Sequence, residues 1–148
     1  MATFRASSHI HAPIERVWEL LCDWEGSAAW MVDATVVEVV GARREGVGTH
    51  VRAVTKIAGV PLTDEMVVTT WDAPHTMAVM HVGWPIKGPA WFSVAREGDG
   101  SRFEWREDLE APLGFLGELG GWVLRRPIER VLAKSMRTFR HIAESGQG

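Results

Sequence analysis

Three ionisable residues, Asp64, His81 and Glu107, fall among apolar side chains where the chain alternates like a β-strand. This alternation would direct all three side chains to the buried face of a sheet. Asp64 and His81 would lie on neighbouring strands, and Glu107 would lie two strands away. Burial raises the pKa of a carboxyl group and a neutral imidazole can move protons, so the predicted chemistry is general acid–base catalysis. A structural interpretation stays open, in which Asp64 caps the turn at 59–61, His81 is half-exposed and Glu107 pairs with an arginine at the sheet rim.

Two other sets of residues are weaker candidates. His9 and His11 share one strand face and could bind a metal ion with a third ligand, but we expect a solvent-exposed pair and no metal site. Cys22 has no histidine or asparagine partner nearby for nucleophilic catalysis, and none of the serines lies in a G-x-S-x-G motif. We therefore expect chemistry without a covalent intermediate, a metal ion or an organic cofactor.

The elements that must position these residues follow from hydrophobic periodicity. Alternation from Phe4 to Ile10 predicts a first strand, Pro13 opens a short helix, and a second short helix is predicted at 27–30. Six further strands are predicted between glycines and prolines: 34–42, 48–58, 61–72, 75–83, 89–97 and 101–110. Their connections are too short for crossover helices, so neighbouring strands should pair antiparallel.

The C-terminal segment, 112–144, predicts a long helix. After Pro127 the residues at helical spacing form one apolar stripe: Ile128, Val131, Leu132, Ser135, Phe139, Ile142 and Ala143. Before Pro127, four glycines and the proline itself predict a kinked or frayed first half. The basic residues on the other side of the helix are expected to be a solvated face and not a membrane-binding surface.

The order of these elements resembles the helix-grip fold, and the run IHAPIERVWELLCD at 10–23, followed by Trp30, is similar to the N-terminal signature of the SRPBCC superfamily. That superfamily includes START domains, birch-pollen-allergen-like proteins and polyketide cyclase/dehydrases. The resemblance implies an α+β fold in which a curved, seven-stranded antiparallel sheet wraps around the long C-terminal helix, with two short helices after the first strand. It implies an apolar or aromatic ligand between sheet and helix, but no single reaction, because members include enzymes, carriers and receptors.

Length and composition favour one domain over residues 1–148 and exclude several classes of partner. The 148 residues carry 16 basic and 19 acidic side chains without a basic stripe, so we expect no nucleic-acid partner. No apolar run is long enough to span a bilayer, and one cysteine allows no intrachain disulfide. A cytoplasmic monomer or homodimer without membrane insertion is therefore expected.

The chain has eight tryptophans and no tyrosine. Because tryptophan has a large, flat apolar side chain, this composition is consistent with either a large hydrophobic core or a pocket for flat ligands. We predict that six apolar residues line a pocket of about 300–1,000 Å³: Trp30, Phe103, Trp105, Phe115, Leu119 and Val123. Two functions then stay open. One is a lyase-type enzyme that cyclises or dehydrates a polyketide-like substrate without a cofactor, and the other is a non-catalytic carrier or sensor of a hydrophobic metabolite.

Overall fold

A computed structural model describes residues 2–31, 34–57, 59–83, 87–110 and 114–145, with side chains except those of Ala2, Ile57, Pro127 and residues 114–125. The described strands form one sheet in which all neighbours are antiparallel, in the order β1-β7-β6-β5-β4-β3-β2. Their bounds are β1 (Ala2–Ile10), β2 (Ala34–Val40), β3 (His50–Ile57), β4 (Val60–Asp72), β5 (Thr76–Val82), β6 (Lys87–Glu97) and β7 (Gly100–Leu109).

Two short helices follow β1 and one long helix ends the described chain. Helix α1 (Ile14–Cys22) begins directly after Pro13, where the missing N–H of proline costs no hydrogen bond. The second short helix is a 3-10 turn, Glu25–Ala29, which begins two residues earlier than the 27–30 prediction. Helix α2 (Gly114–Ser145) is one helix, and its glycines and Pro127 do not interrupt it. The predicted α+β architecture, a helix-grip arrangement, is confirmed.

The C-terminal half of α2 packs against the inner face of the sheet. Phe139 is fully buried, with its ring centre 5.0 Å from that of Trp30 and 4.6 Å from that of Phe103. The other members of the predicted stripe divide into buried and partly buried positions: Leu132, Ser135 and Ala143 are buried, whereas Ile128, Val131 and Ile142 are partly exposed. Met136, which the stripe did not include, is buried because it lies one turn from Leu132 on the face that meets the sheet.

An irregularity in β4 redirects the end of that strand. The register pairs Val68 with Val79 but Thr70 with Ala78, so one extra residue lies between them, a β-bulge. The bulge turns Trp71 to the inner side, where its ring contacts that of Trp18 in α1 edge to face at 5.3 Å. Asp64 precedes the bulge, so the inward direction predicted for it by alternation is unaffected.

No described helix combines the length and the apolar character that crossing a bilayer requires.

Candidate functional site

Asp64 and His81 meet on the inner face of the sheet. The register pairs His81 of β5 with Met66 of β4, which places Asp64 diagonally beside the imidazole. The Nδ1 atom of His81 and the Oδ1 atom of Asp64 are 2.8 Å apart, so the two side chains form a hydrogen bond. Their side chains are only 6% and 11% exposed. His81 is thus buried, in contrast to the half-exposed residue of the structural interpretation, and Asp64 is its partner.

Glu107 reaches the same place from β7, across the intervening strand β6. Strand β6 has small residues there, because Gly88 pairs with His81 and Ala90 pairs with Glu107. The Oε1 atom of Glu107 lies 3.9 Å from Nε2 of His81, too far for a hydrogen bond, and it accepts one from the Nε1–H of Trp105 at 3.1 Å. Within the described part of the chain, the carboxylate of Glu107 therefore faces Trp105 and His81 and not an arginine at the sheet rim.

The Nε2 atom of His81 is buried and has no hydrogen-bond partner among the described residues. Ionised Asp64 accepts the Nδ1–H of the imidazole, so the neutral ring presents its Nε2 lone pair on the side of Glu107. Buried polar atoms are nearly always hydrogen-bonded, because an unsatisfied one loses its hydration without compensation. The hydrogen-bonding capacity of Nε2 of His81 is therefore unused among the described residues, on the side of the ring that faces Glu107.

Burial and charge shift the pKa values of both groups beside this gap. Burial raises the pKa of Glu107, while the charge of His81 and the hydrogen bond from Trp105 oppose the shift. For His81, burial by itself lowers the pKa, but the hydrogen bond and charge of Asp64 and the charge of Glu107 outweigh it and hold the pKa above its usual value. Each shift depends in part on the charge of the other group, so the pair is suited to hold one proton and to transfer it.

Replacing Asp64 with asparagine should lower the pKa of His81, because it removes the negative charge that offsets burial of the imidazole. The measurement is an NMR titration of the His81 ring. Glu65→Gln is the matched control, since Glu65 is the next residue of β4 and points to the opposite face, where it accepts a hydrogen bond from Arg52. An unchanged His81 titration in Asp64→Asn would show that Asp64 does not set the charge state of the imidazole.

The raised pKa of His81 also has a consequence for stability. The folded state binds the imidazole proton more tightly than the unfolded chain does. The stabilisation that His81 contributes is therefore complete below its ordinary pKa, 6.5, and is lost as the pH rises through the folded value.

The aromatic residues predicted to line a pocket are part of a packed cluster. Trp30 and Phe103 are fully buried, and Trp105 contacts the rings of Trp30 at 5.8 Å and Phe92 at 5.6 Å. The side chains of the remaining predicted members, Phe115, Leu119 and Val123, lie outside the described residues. The predicted ligand-binding set therefore stays a prediction. Among its described members, Trp105 also contacts the group of Asp64, His81 and Glu107, because its Nε1–H donates a hydrogen bond to Glu107.

A small cavity of about 20 Å³ lies inside the protein. It is lined by Leu21, Trp24, Ser27, Met31, Val37, Val51, Met66, Met77, Val79 and Phe92. This volume holds about one water molecule and is far smaller than the predicted pocket of about 300–1,000 Å³, so a ring-sized ligand enters this cavity only if side chains move. Two of the lining residues are neighbours of His81 in the sheet, because Met66 pairs with it and Val79 lies two residues before it on β5, but Asp64, His81 and Glu107 do not themselves line the cavity.

A larger groove of about 380 Å³ lies beside α1 and was not predicted from the sequence. It is lined by Glu15, Trp18, Glu19, Cys22, Asp23, Glu45, Trp71 and Pro74. Trp71 lines this groove because the β4 bulge turns it to the inner side, and the residues of the bulge carry no sequence marker for it. Burial and the charge of Glu45 raise the pKa of the Cys22 thiol to about 12, so the thiol is not a nucleophile there.

Solved structures share the fold along nearly the whole chain. The protein TTHA0849 from Thermus thermophilus aligns over 99% of this chain and 100% of its own, with a TM-score of 0.85 and 20% identity. A START superfamily protein from Mycobacterium smegmatis aligns over 98% and 99%, with a TM-score of 0.78 and 15% identity. The Zhui aromatase/cyclase from Streptomyces sp. R1128 aligns over 97% and 93%, with a TM-score of 0.82 and 17% identity. At these identities the similarity shows the fold alone.

Sequence comparison gives the family. No curated protein matches the chain. A family model described as polyketide cyclase / dehydrase and lipid transport, however, matches residues 1–144, which is nearly the complete sequence. The SRPBCC resemblance seen in the opening residues is thereby confirmed. The chain belongs to the polyketide cyclase / dehydrase and lipid transport family.

Proposed function

We propose that the protein binds a flat apolar or aromatic carbonyl compound against the inner face of its sheet and catalyses proton transfer at the carbon next to the carbonyl group. The observation that carries this proposal is the buried, unpartnered Nε2 atom of His81, held between Asp64 and Glu107 within the described part of the chain. An imidazole oriented by a carboxylate on one nitrogen, with the other nitrogen free, is the arrangement of a general base.

Each of the three residues has a distinct role in this proposal. Ionised Asp64 accepts the Nδ1–H and so orients the ring of His81. Nε2 of His81 takes the proton from the substrate carbon, and the electron pair of that C–H bond moves into the carbonyl group to give an enolate. Glu107 in its protonated form donates a hydrogen bond to the developing oxyanion, a role that its raised pKa supports.

The enolate can then react further in two successive steps, cyclisation and dehydration. Its carbon can attack a second carbonyl group of the same molecule, which forms a carbon–carbon bond and leaves an alkoxide that takes a proton from the His81 imidazolium. Removal of a further proton from the resulting β-hydroxy ketone expels the hydroxyl group, which leaves as water with a proton from the same pair. The family description and the aromatase/cyclase among the structural neighbours support a polyketide-like substrate.

The reaction class can be tested before the natural substrate is known. The probe is 1-phenyl-1,3-butanedione, an aromatic diketone, and the measurement is deuterium exchange of its central carbon in D₂O by NMR. We expect the protein to accelerate exchange with saturation in the probe. Saturable binding without acceleration would contradict the catalytic proposal and leave a carrier of the same class of molecule.

Replacing Trp105 with alanine should weaken binding of a flat ligand. An aromatic pair contributes about 0.5–1.5 kcal/mol, so the dissociation constant for 1,4-dihydroxyanthraquinone should rise about 2–10-fold. Quenching of the remaining tryptophans gives the binding curve. Trp91→Ala is the matched control, because Trp91 lies on the outer face of the adjacent strand, with the Arg106 guanidinium 4.8 Å from its ring centre. Equal weakening by both variants would contradict binding at the inner face.

A further inference from the structure

We propose that His9, His11 and Asp99 form a site for a divalent transition metal ion, such as zinc, on the outer face of the sheet. Their ligand atoms all lie within 4.8 Å of one another. Nε2 of His9 and Nδ1 of His11 are each 3.8 Å from Oδ1 of Asp99. Ligand atoms of a tetrahedral zinc ion, with bonds of about 2.0–2.1 Å, are about 3.3 Å apart, so small side-chain rotations bring the three onto one ion.

A second carboxylate already orients the first histidine. Glu97 Oε1 lies 2.8 Å from Nδ1 of His9, and the guanidinium of Arg102 holds Glu97 with hydrogen bonds of 2.7 and 3.0 Å. This bond occupies Nδ1 and leaves Nε2, the nitrogen that faces Asp99, free to bind a metal ion. Metal-binding histidines commonly have such a carboxylate on the other ring nitrogen, which fixes the tautomer and the ring orientation.

The backbone also holds the three ligands together in advance. Ser101, two residues after Asp99, pairs with Ile10, and its hydroxyl donates a hydrogen bond of 2.6 Å to the carbonyl of Ala12. Gly100 approaches the Ile10 carbonyl so closely that a Cβ atom there would lie 2.2 Å from the oxygen. The turn that carries Asp99 is therefore fixed against the end of β1, where His9 and His11 lie.

Donor type, access and charge favour a transition metal ion. Two imidazole nitrogens and one carboxylate oxygen suit zinc better than magnesium or calcium, which prefer oxygen ligands. The side chains of His9 and His11 are 27% and 59% exposed, so an ion has access and water can complete the coordination. The carboxylates of Asp99 and Glu97, against the guanidinium of Arg102, give the cluster a net negative charge. The site is on the opposite face from His81 and is independent of the proposed catalysis.

The test is titration of the untagged full-length protein with zinc chloride by calorimetry. We expect one saturable zinc ion per chain, and we expect His11→Gln and Asp99→Asn each to abolish that binding. Glu97→Gln should weaken it about 10–100-fold, because it removes the orienting partner and not a ligand. His50→Gln is the matched control: His50 also has a carboxylate nearby, Glu65 at 3.8 Å, but lies in β3, and its loss should leave binding unchanged.

NMR signals of the imidazole nitrogens distinguish zinc coordination at this site from nonspecific electrostatic binding of cations. In ¹⁵N NMR spectra of the imidazole rings, one equivalent of zinc should shift Nε2 of His9 and Nδ1 of His11. Absence of saturable binding by the native protein would overturn the proposal. So would binding that survives both His11→Gln and Asp99→Asn, or zinc-dependent shifts at His50 in place of His9 and His11.

Discussion

Replacing His81 with glutamine is expected to slow the exchange of 1-phenyl-1,3-butanedione by about 10²–10⁴-fold, the usual contribution of a general base. Glutamine keeps a polar side chain at this buried position but cannot accept the substrate proton at neutral pH. The dissociation constant of the ligand should change little, since the loss concerns proton transfer and not packing. Exchange rates and fluorescence titrations measured on the same preparation separate the two effects.

The neighbouring variants give this prediction its controls. Glu107→Gln removes the protonated carboxyl proposed to stabilise the oxyanion and should also slow exchange. Asp64→Asn acts through His81, so its slower rate should come with a shift of the pH profile to lower pH, as the pKa of His81 falls. Glu65→Gln, on the outer face of β4, should leave rate and profile unchanged. A His81→Gln protein that exchanges the probe as fast as the native one would exclude His81 as the base.

Replacing Phe139 with alanine should lower the free energy of unfolding by about 3–5 kcal/mol, the range for deletion of a buried phenylalanine ring. Phe139 is fully buried between Trp30 and Phe103, so its loss leaves a cavity between α2 and the sheet. Urea denaturation followed by tryptophan fluorescence measures the change. Because small domains are stable by only about 5–15 kcal/mol, the variant should unfold at a much lower urea concentration.

Arg137→Ala is the control for the same helix, since Arg137 is exposed and lies two residues from Phe139. Its effect should stay within about 0.5 kcal/mol. A loss of less than about 1 kcal/mol for Phe139→Ala would mean that the surrounding side chains close the space, and that the contact between α2 and the sheet is not a principal source of stability.

The fold was predictable from the sequence because its signals are local. The alternation of Phe4 through Ile10 and the proline before α1 each depend on neighbouring residues only. The inward direction of Asp64 and His81 also followed from alternation, since both residues lie on the regular side of the β4 bulge. Residues with a strict two-residue period could thus be assigned to a face without knowing their partners.

Features that depend on distant partners were not predictable. The β4 bulge, which turns Trp71 inward, arises from the pairing of β4 with β5 and has no marker in its own residues. The approach of Glu107 to His81 requires the small residues of β6 between them. Asp99 lies close to His9 and His11 because the register of β1 with β7 places the turn between β6 and β7 beside the end of β1. Each of these depends on the strand register, which a single sequence does not specify.

Gly88, one of the small residues between His81 and β7, limits which substitutions this sheet can accept. Its φ angle is +124°, and a Cβ atom there would lie 2.0 Å from the carbonyl oxygen of Asp108, so no other residue fits without moving the main chain of β7. The absence of a side chain at position 88 is thus a requirement of the sheet itself, independent of the proposed site. Ala90, which pairs with Glu107, already carries a Cβ atom in the same strand. A substitution that changes the space beside Glu107 can therefore be made at residue 90, whereas position 88 must stay glycine.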